Sequence, residues 1–260
     1  MGKVRVSAKG PSVRIIGIDC ATVAQKVGLA LCVIREGRAR IDQLLVGESW
    51  PAIDEQLVQW ATEPSLLAVD APLGWPARMA DSLHSHRAGS ELPYPSNTLF
   101  RRETDDVVAE HLGKRPLDVG ADRIARTAHT ALSLLARLRE TVGKPIPLAW
   151  QPGSAEGLAA IEVYPAGTLA ARGLPHSGYK ARTGHSVELR QQLVEAIRQQ
   201  LSVDDDAAML MVQSDHALDA VLCTVAGLDF LAGDVLPPSD LDLAQREGWI
   251  WVPSRVRCAP

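Results

Sequence analysis

The sequence has no excess of positive charge: 27 Lys and Arg stand against 31 Asp and Glu, a net charge of −4. The global basic field that gathers nucleic acid is therefore missing, and a polynucleotide would have to be held by a local patch or through metal ions. The four cysteines, Cys20, Cys32, Cys223 and Cys258, form no C-x-x-C pair. Three of them lie in apolar segments, where a thiol behaves as a small hydrophobe, so neither a zinc site nor a disulfide framework is expected. No glycine-rich phosphate loop and no G-x-S-x-G is present, which leaves P-loop and nucleophile-elbow enzymes unsupported. No apolar run reaches transmembrane length, and Met1 to Ser12 lacks the apolar stretch of a signal peptide. A cytoplasmic protein without a membrane partner is expected, with no repeat or low-complexity tract.

What is present is a 260-residue chain, 46% hydrophobic and 22% charged, with ordinary globular composition and room for one large core. Val13 to Ala21 is a nearly continuous apolar run, the mark of a strand buried on both faces. Val27 to Ile34, a turn at Arg35 to Arg38, and Ala39 to Val46 complete a three-strand antiparallel meander. Ser49-Trp50-Pro51 starts a helix, and Ser65 to Leu73 is a further buried strand that Pro72 stops. Residues 74–120, rich in Pro, Gly, Ser, Arg and His, show no long periodicity and are expected to be an insertion lying over a site. Helical spacing returns at Ala121 to Val142, Ser186 to Leu201 and Ser214 to Leu231, with a fifth strand at Leu158 to Tyr164 and an edge strand near Trp249 to Val252. The order predicts a single α/β domain over residues 1–260, a mixed sheet whose meander leads into alternating helices and strands.

Acids fall at telling places. Asp19 ends the first strand, Asp70 ends the fourth and Glu162 lies in the fifth. Carboxylates flanked by apolar neighbours on adjacent strands repel each other unless a cation neutralises them. Asp215 and Asp219, four apart, share one side of the last long helix. Hard oxygen donors of this kind suit Mg²⁺ or Mn²⁺ rather than zinc. Singly, each acid also reads as a turn former or helix cap. Asp215 in particular has the position of a cap, and Glu162 has the option of pairing with an arginine. His216, beside the helix acids, is a general acid or base candidate expected to face solvent, and His84 with His86 makes only a weak metal motif.

The segments GIDCA (17–21), AVDAPLG (68–74), IEVYP (161–165), Tyr179-Lys180, SDHALDA (214–220) and EGWIWVP (247–253) resemble the family catalogued as domain of unknown function 429, regarded as predicted RNase-H-like nucleases. The resemblance runs from Val13 to Pro253 and implies an RNase-H-like sheet. It also implies that Asp19, Asp70, Asp215 and Asp219 match the acids that hold two metal ions in nucleases of that fold.

On that likeness the expected chemistry is cleavage of phosphodiester bonds, with two ions about 4 Å apart activating water and stabilising the leaving oxygen. DNA or RNA is the partner implied. Arg101, Arg102 and Lys180 are the candidate phosphate contacts, although a solvated surface accounts equally well for the arginines. Two rivals remain. Actin-like or sugar-kinase-like phosphotransfer shares the opening G-I-D strand but needs a phosphate loop where residues 20–26 read CATVAQK. A non-catalytic binding domain of the same fold is the other.

Overall fold

The apolar run at the start of the sequence becomes the middle of a sheet. In the computed structural model, which describes residues 12–256 apart from Ala121, Ala155 and Arg182, Val13–Asp19 forms β1. Cys258 and the first eleven residues lie outside the described residues. Gly28–Arg35 (β2) and Arg38–Val46 (β3) follow, joined by Glu36 and Gly37, both at positive φ (50° and 72°), as a two-residue hairpin turn requires. Helix α1 (Trp50–Trp60) is capped by Ser49, whose hydroxyl accepts from the Ala52 amide, and leads into β4 (Ser65–Asp70). Helices α2 (Ala77–Leu83), α3 (Ser96–Phe100), α4 (Glu103–Leu112) and α5 (Asp122–Val142) precede β5 (Leu158–Glu162). Helices α6 (Pro165–Ala171), α7 (Gly184–Arg198), α8 (Asp205–Gln213), α9 (Asp215–Ala232) and α10 (Leu241–Glu247) complete the order.

The sheet runs β3-β2-β1-β4-β5. The first three strands pair antiparallel, and β1-β4 and β4-β5 pair parallel, giving the expected mixed α/β sheet. Strand alternation then sorts every residue to one face. Ile15, Ala30, Cys32, Leu66, Ala68 and Ile161 join the core built around α9. Ile16, Ile18, Leu29, Leu31, Leu67, Val69 and Ala160 join the opposite core with Ile53, Leu57 and Trp60 of α1 and Leu134, Leu135 and Leu138 of α5. Both faces of β1 are thus covered, and this is why its sequence is apolar without alternation. The free thiols Cys20, Cys32 and Cys223 are all buried.

Two expectations change. Residues 74–120 carry three helices, α2 to α4, too short to show a long periodic stripe. Trp249 to Val252 forms no strand: Ile250 makes an isolated parallel bridge to Glu162, and the Trp251 amide donates to the Glu162 carbonyl across 3.0 Å. No helix among the described residues is long and apolar enough to cross a membrane.

Candidate metal centre

Register places the first two acids side by side. Asp19 pairs directly with Asp70 across the parallel β1-β4 ladder, each at the carboxyl end of its strand. Counting by two from Ile15 and from Leu66 puts both on the face that α9 covers. Close approach of the helix supplies the third acid. A side chain at Gly17 would begin 2.1 Å from the Ala220 carbonyl oxygen, and one at Gly28 would begin 2.0 Å from that of His216. Only glycine lets the helix backbone lie on the sheet here, and Asp219 on that helix turn thereby reaches the strand ends. Ser214 caps α9 by accepting from the Ala217 amide at 3.3 Å, which fixes where the helix starts. One oxygen from each of Asp19, Asp70 and Asp219 lies within 4.8 Å of the others.

Asp19 and Asp219 are buried and Asp70 is half-buried at the mouth of a cavity, and their chemistry reflects it. Burial lifts the Asp19 carboxyl to about 6; the hydrogen bond to His216 opposes that rise and the neighbouring Asp219 adds to it. Burial likewise raises Asp70 well above the ordinary carboxylate range, against the pull of Lys180. Asp219 is raised by burial too, with Lys180 and Tyr179 opposing. His216 Nδ1 lies 2.8 Å from Asp19 Oδ2, and that bond raises the imidazole above its ordinary value. Tyr179 Oη donates to Asp219 Oδ1 at 2.8 Å, and the Lys180 ammonium pairs with Asp219 Oδ2. No described residue donates a hydrogen bond to the Asp70 carboxylate. An all-oxygen, mutually repelling set with one uncommitted member fits a hard divalent cation such as Mg²⁺ or Mn²⁺.

Glu162 stands elsewhere, for a reason of parity. It pairs with Val69, not Asp70, and so points to the face opposite the triad. There it meets Arg102, only 1% exposed, whose guanidinium is fully committed. Nη1 donates to Glu162 Oε2 (2.9 Å) and the Glu247 carbonyl (3.2 Å), Nη2 to Asp105 Oδ1 (2.9 Å) and Glu162 Oε1 (2.8 Å), and Nε to Asp105 Oδ2 (3.2 Å). All five donors are used, so Arg102 has none left for a phosphate. The Glu247 carboxylate accepts from the amides of Ala77 (2.7 Å) and Glu103 (2.8 Å), holding the N-termini of α2 and α4. Arg102, Glu162 and Glu247 therefore tie the 74–120 segment to the sheet.

Arg101 pairs with Asp118 at 3.4 Å. Asp215 sits in the first turn of α9, half-buried and outside the triad, raising His216 and Asp219 by its charge alone. His84 and His86 are exposed. His216 is half-buried on Asp19 rather than turned to solvent, and Tyr179, which the sequence marks only as part of the Tyr179-Lys180 motif and without a role, proves to hold Asp219.

Beside the triad opens a cavity of about 450 Å³, lined by Asp70, Tyr164, Tyr179 and Lys180 together with Arg102, Glu162, Lys114 and Leu117. Burial pushes the Tyr164 phenol up to about 12, with Asp70 adding to the rise, so it stays a hydrogen-bond donor at neutral pH. A concave apolar-walled opening with a few convergent polar groups is the usual form of a ligand site. A second opening of about 590 Å³, lined by Thr22, Asp122, His129 and Thr130, holds none of the three triad acids.

The fold and centre thus define an α/β protein with three carboxylates gathered at the carboxyl edge of a mixed sheet. Residues 17–242 match the family described as "Protein of unknown function (DUF429)", and the chain belongs to that family. Comparison with curated proteins and with solved structures returns no match.

Proposed function

We propose that the chain is a metal-dependent phosphodiester hydrolase, an RNase-H-like nuclease acting on DNA or RNA with Mg²⁺ or Mn²⁺. The observation that carries the reading is the convergence of Asp19, Asp70 and Asp219 within 4.8 Å at the ends of β1 and β4 and on α9. A strand order of β3-β2-β1-β4-β5, with the meander antiparallel and the remainder parallel, agrees with the RNase-H-like sheet that the sequence motifs imply. A divalent cation bound by these acids supplies an acidified water and positive charge for a phosphate oxygen.

The chain's own residues have distinct parts. Asp70, whose carboxylate receives no hydrogen bond from a described residue, is the most available ligand. Asp19 offers Oδ1 while His216 holds its Oδ2 at 2.8 Å. With Nδ1 held on Asp19, His216 has Nε2 left to take or give a proton, and its half-buried ring keeps a path to solvent. Lys180 and Tyr164 line the cavity next to Asp70, where a phosphate oxygen would meet an ammonium and a phenol. Fold likeness alone does not establish chemistry, so the test is direct. Labelled single-stranded, duplex, hybrid and branched substrates are incubated with Mn²⁺ or Mg²⁺, using wild type and Asp19→Asn. Cleavage by wild type that needs metal and vanishes in the variant is expected; no cleavage of any substrate overturns the nuclease reading.

A further inference from the structure

Asp219 spends both of its carboxylate oxygens on the protein. Oδ1 accepts from Tyr179 at 2.8 Å, and Oδ2 pairs with the Lys180 ammonium. That ammonium is also held 5.7 Å above the centroid of the Tyr179 ring, so two independent contacts fix it. The uncommitted oxygens of the centre belong to the other two acids, Asp19 at Oδ1 and Asp70 at both positions, and these acids are register partners across β1 and β4. Asp215, the fourth carboxylate that the resemblance implies for a two-ion set, lies outside the triad.

Charge counting points the same way. Three ionised carboxylates carry −3 and Lys180 carries +1, leaving −2, which one divalent cation cancels. A second divalent ion would leave +2 at carboxylates of which Asp19 and Asp219 are buried, and an unbalanced charge there is costly. A protonated His216 would reduce the negative charge further and never create room for a second ion.

We propose that Lys180 is a built-in cation standing in the place of a second metal ion, so that the centre takes one divalent ion, between Asp19 and Asp70. The inference rests on the metal-dependent reading above and departs from the two-ion chemistry that the resemblance implies. With its side chain 51% exposed, Lys180 turns its outer surface to the cavity shared with Asp70. Its remaining N–H groups thereby face the space where the phosphate of a substrate would lie.

The test is a titration of metal-stripped full chain with Mn²⁺, reading free Mn²⁺ by electron paramagnetic resonance. Wild type should bind one Mn²⁺ per chain. Lys180→Met should bind Mn²⁺ about tenfold more tightly or better, because a positive charge a few ångströms from the ion has gone. Lys180→Arg should keep the single site and an affinity near that of wild type. Two ions in wild type, or unchanged affinity in Lys180→Met, overturns the role of Lys180 while leaving the metal centre standing. No Mn²⁺ bound by wild type at millimolar concentration overturns both. If Lys180→Met does not fold, the wild-type stoichiometry and the Lys180→Arg affinity still decide the question.

Discussion

A side chain at Gly17 would place its first carbon 2.1 Å from the carbonyl oxygen of Ala220, so β1 and α9 touch backbone to backbone two residues before Asp19 and one after Asp219. Thr224 closes the same space, with its Cγ2 2.8 Å from that carbon. Gly17→Ala should therefore push α9 away from the sheet, at a cost of about 1–3 kcal/mol or more. It should also weaken Mn²⁺ binding, because Asp219 moves with the helix. Thermal melts with and without Mn²⁺ measure both effects; an unchanged melting temperature would show that the helix gives way without loss.

Metal should stabilise the native protein by mass action, about 2.7 kcal/mol at a hundredfold excess over the dissociation constant. Asp70→Asn should abolish most of that gain. Without metal the same variant should be at least as stable as wild type, since the Asp70 carboxylate is raised by burial and receives no hydrogen bond from a described residue. Equal metal-induced melting shifts in the two proteins would remove Asp70 from the ligand set.

Metal-free stability should fall as pH rises from about 4 to about 6. Asp19 has its folded carboxyl at about 6 against an ordinary 3.8, so across that window the native state binds more protons than the unfolded chain. Stability then declines with pH, on the order of 3 kcal/mol in all, and levels off above the folded value. His216 acts in the same direction: its raised folded value gives stability that is complete below the ordinary imidazole range and lost as pH rises through the folded one. Saturating Mn²⁺ should reverse the slope, because protons compete with metal for the same oxygens. Urea melts at half-unit pH steps, with chelator and with Mn²⁺, check the sign of both slopes.

Arg102→Ala should cost about 3–5 kcal/mol, the usual effect of removing one partner from a buried charge cluster. Glu162 and Asp105 would be left buried without their counter-charge, and α2 to α4 would lose their anchor on the sheet. Lys at this position should recover little, since an ammonium has three donors where five are used. Denaturant melts give the stability change. A variant that melts like wild type yet binds substrate poorly would return Arg102 to the phosphate contacts.

How much of this was legible follows from which physical rule governs each piece. The meander, its turn and the buried strands are local patterns of apolar residues and turn formers, and they lie where hydrophobic periodicity places them. Asp19, Asp70 and Asp219 stand out because an acid inside an apolar run needs a reason. The helices between residues 74 and 120 were not legible, because α2 and α3 are too short to show a periodic stripe and α2 takes its N-terminal support from Glu247, 170 residues away from the Ala77 amide that it accepts.

The sequence by itself determined where the five strands begin to within a residue, the α9 start at Ser214, and the presence of acids in apolar surroundings, since each depends on neighbours within a few residues. Tertiary structure decided which acids meet. One step of register pairs Glu162 with Val69 instead of Asp70, and side chains alternate along a strand, so that single step sends Glu162 to the opposite face and into the grip of Arg102. Close packing through Gly17 and Gly28 brings Asp219 down to Asp19, and the chain between β5 and α7 delivers Tyr179 and Lys180 to both oxygens of Asp219. Such pairings join residues far apart in the chain, and cross-strand register and helix height fix them only once the sheet has formed.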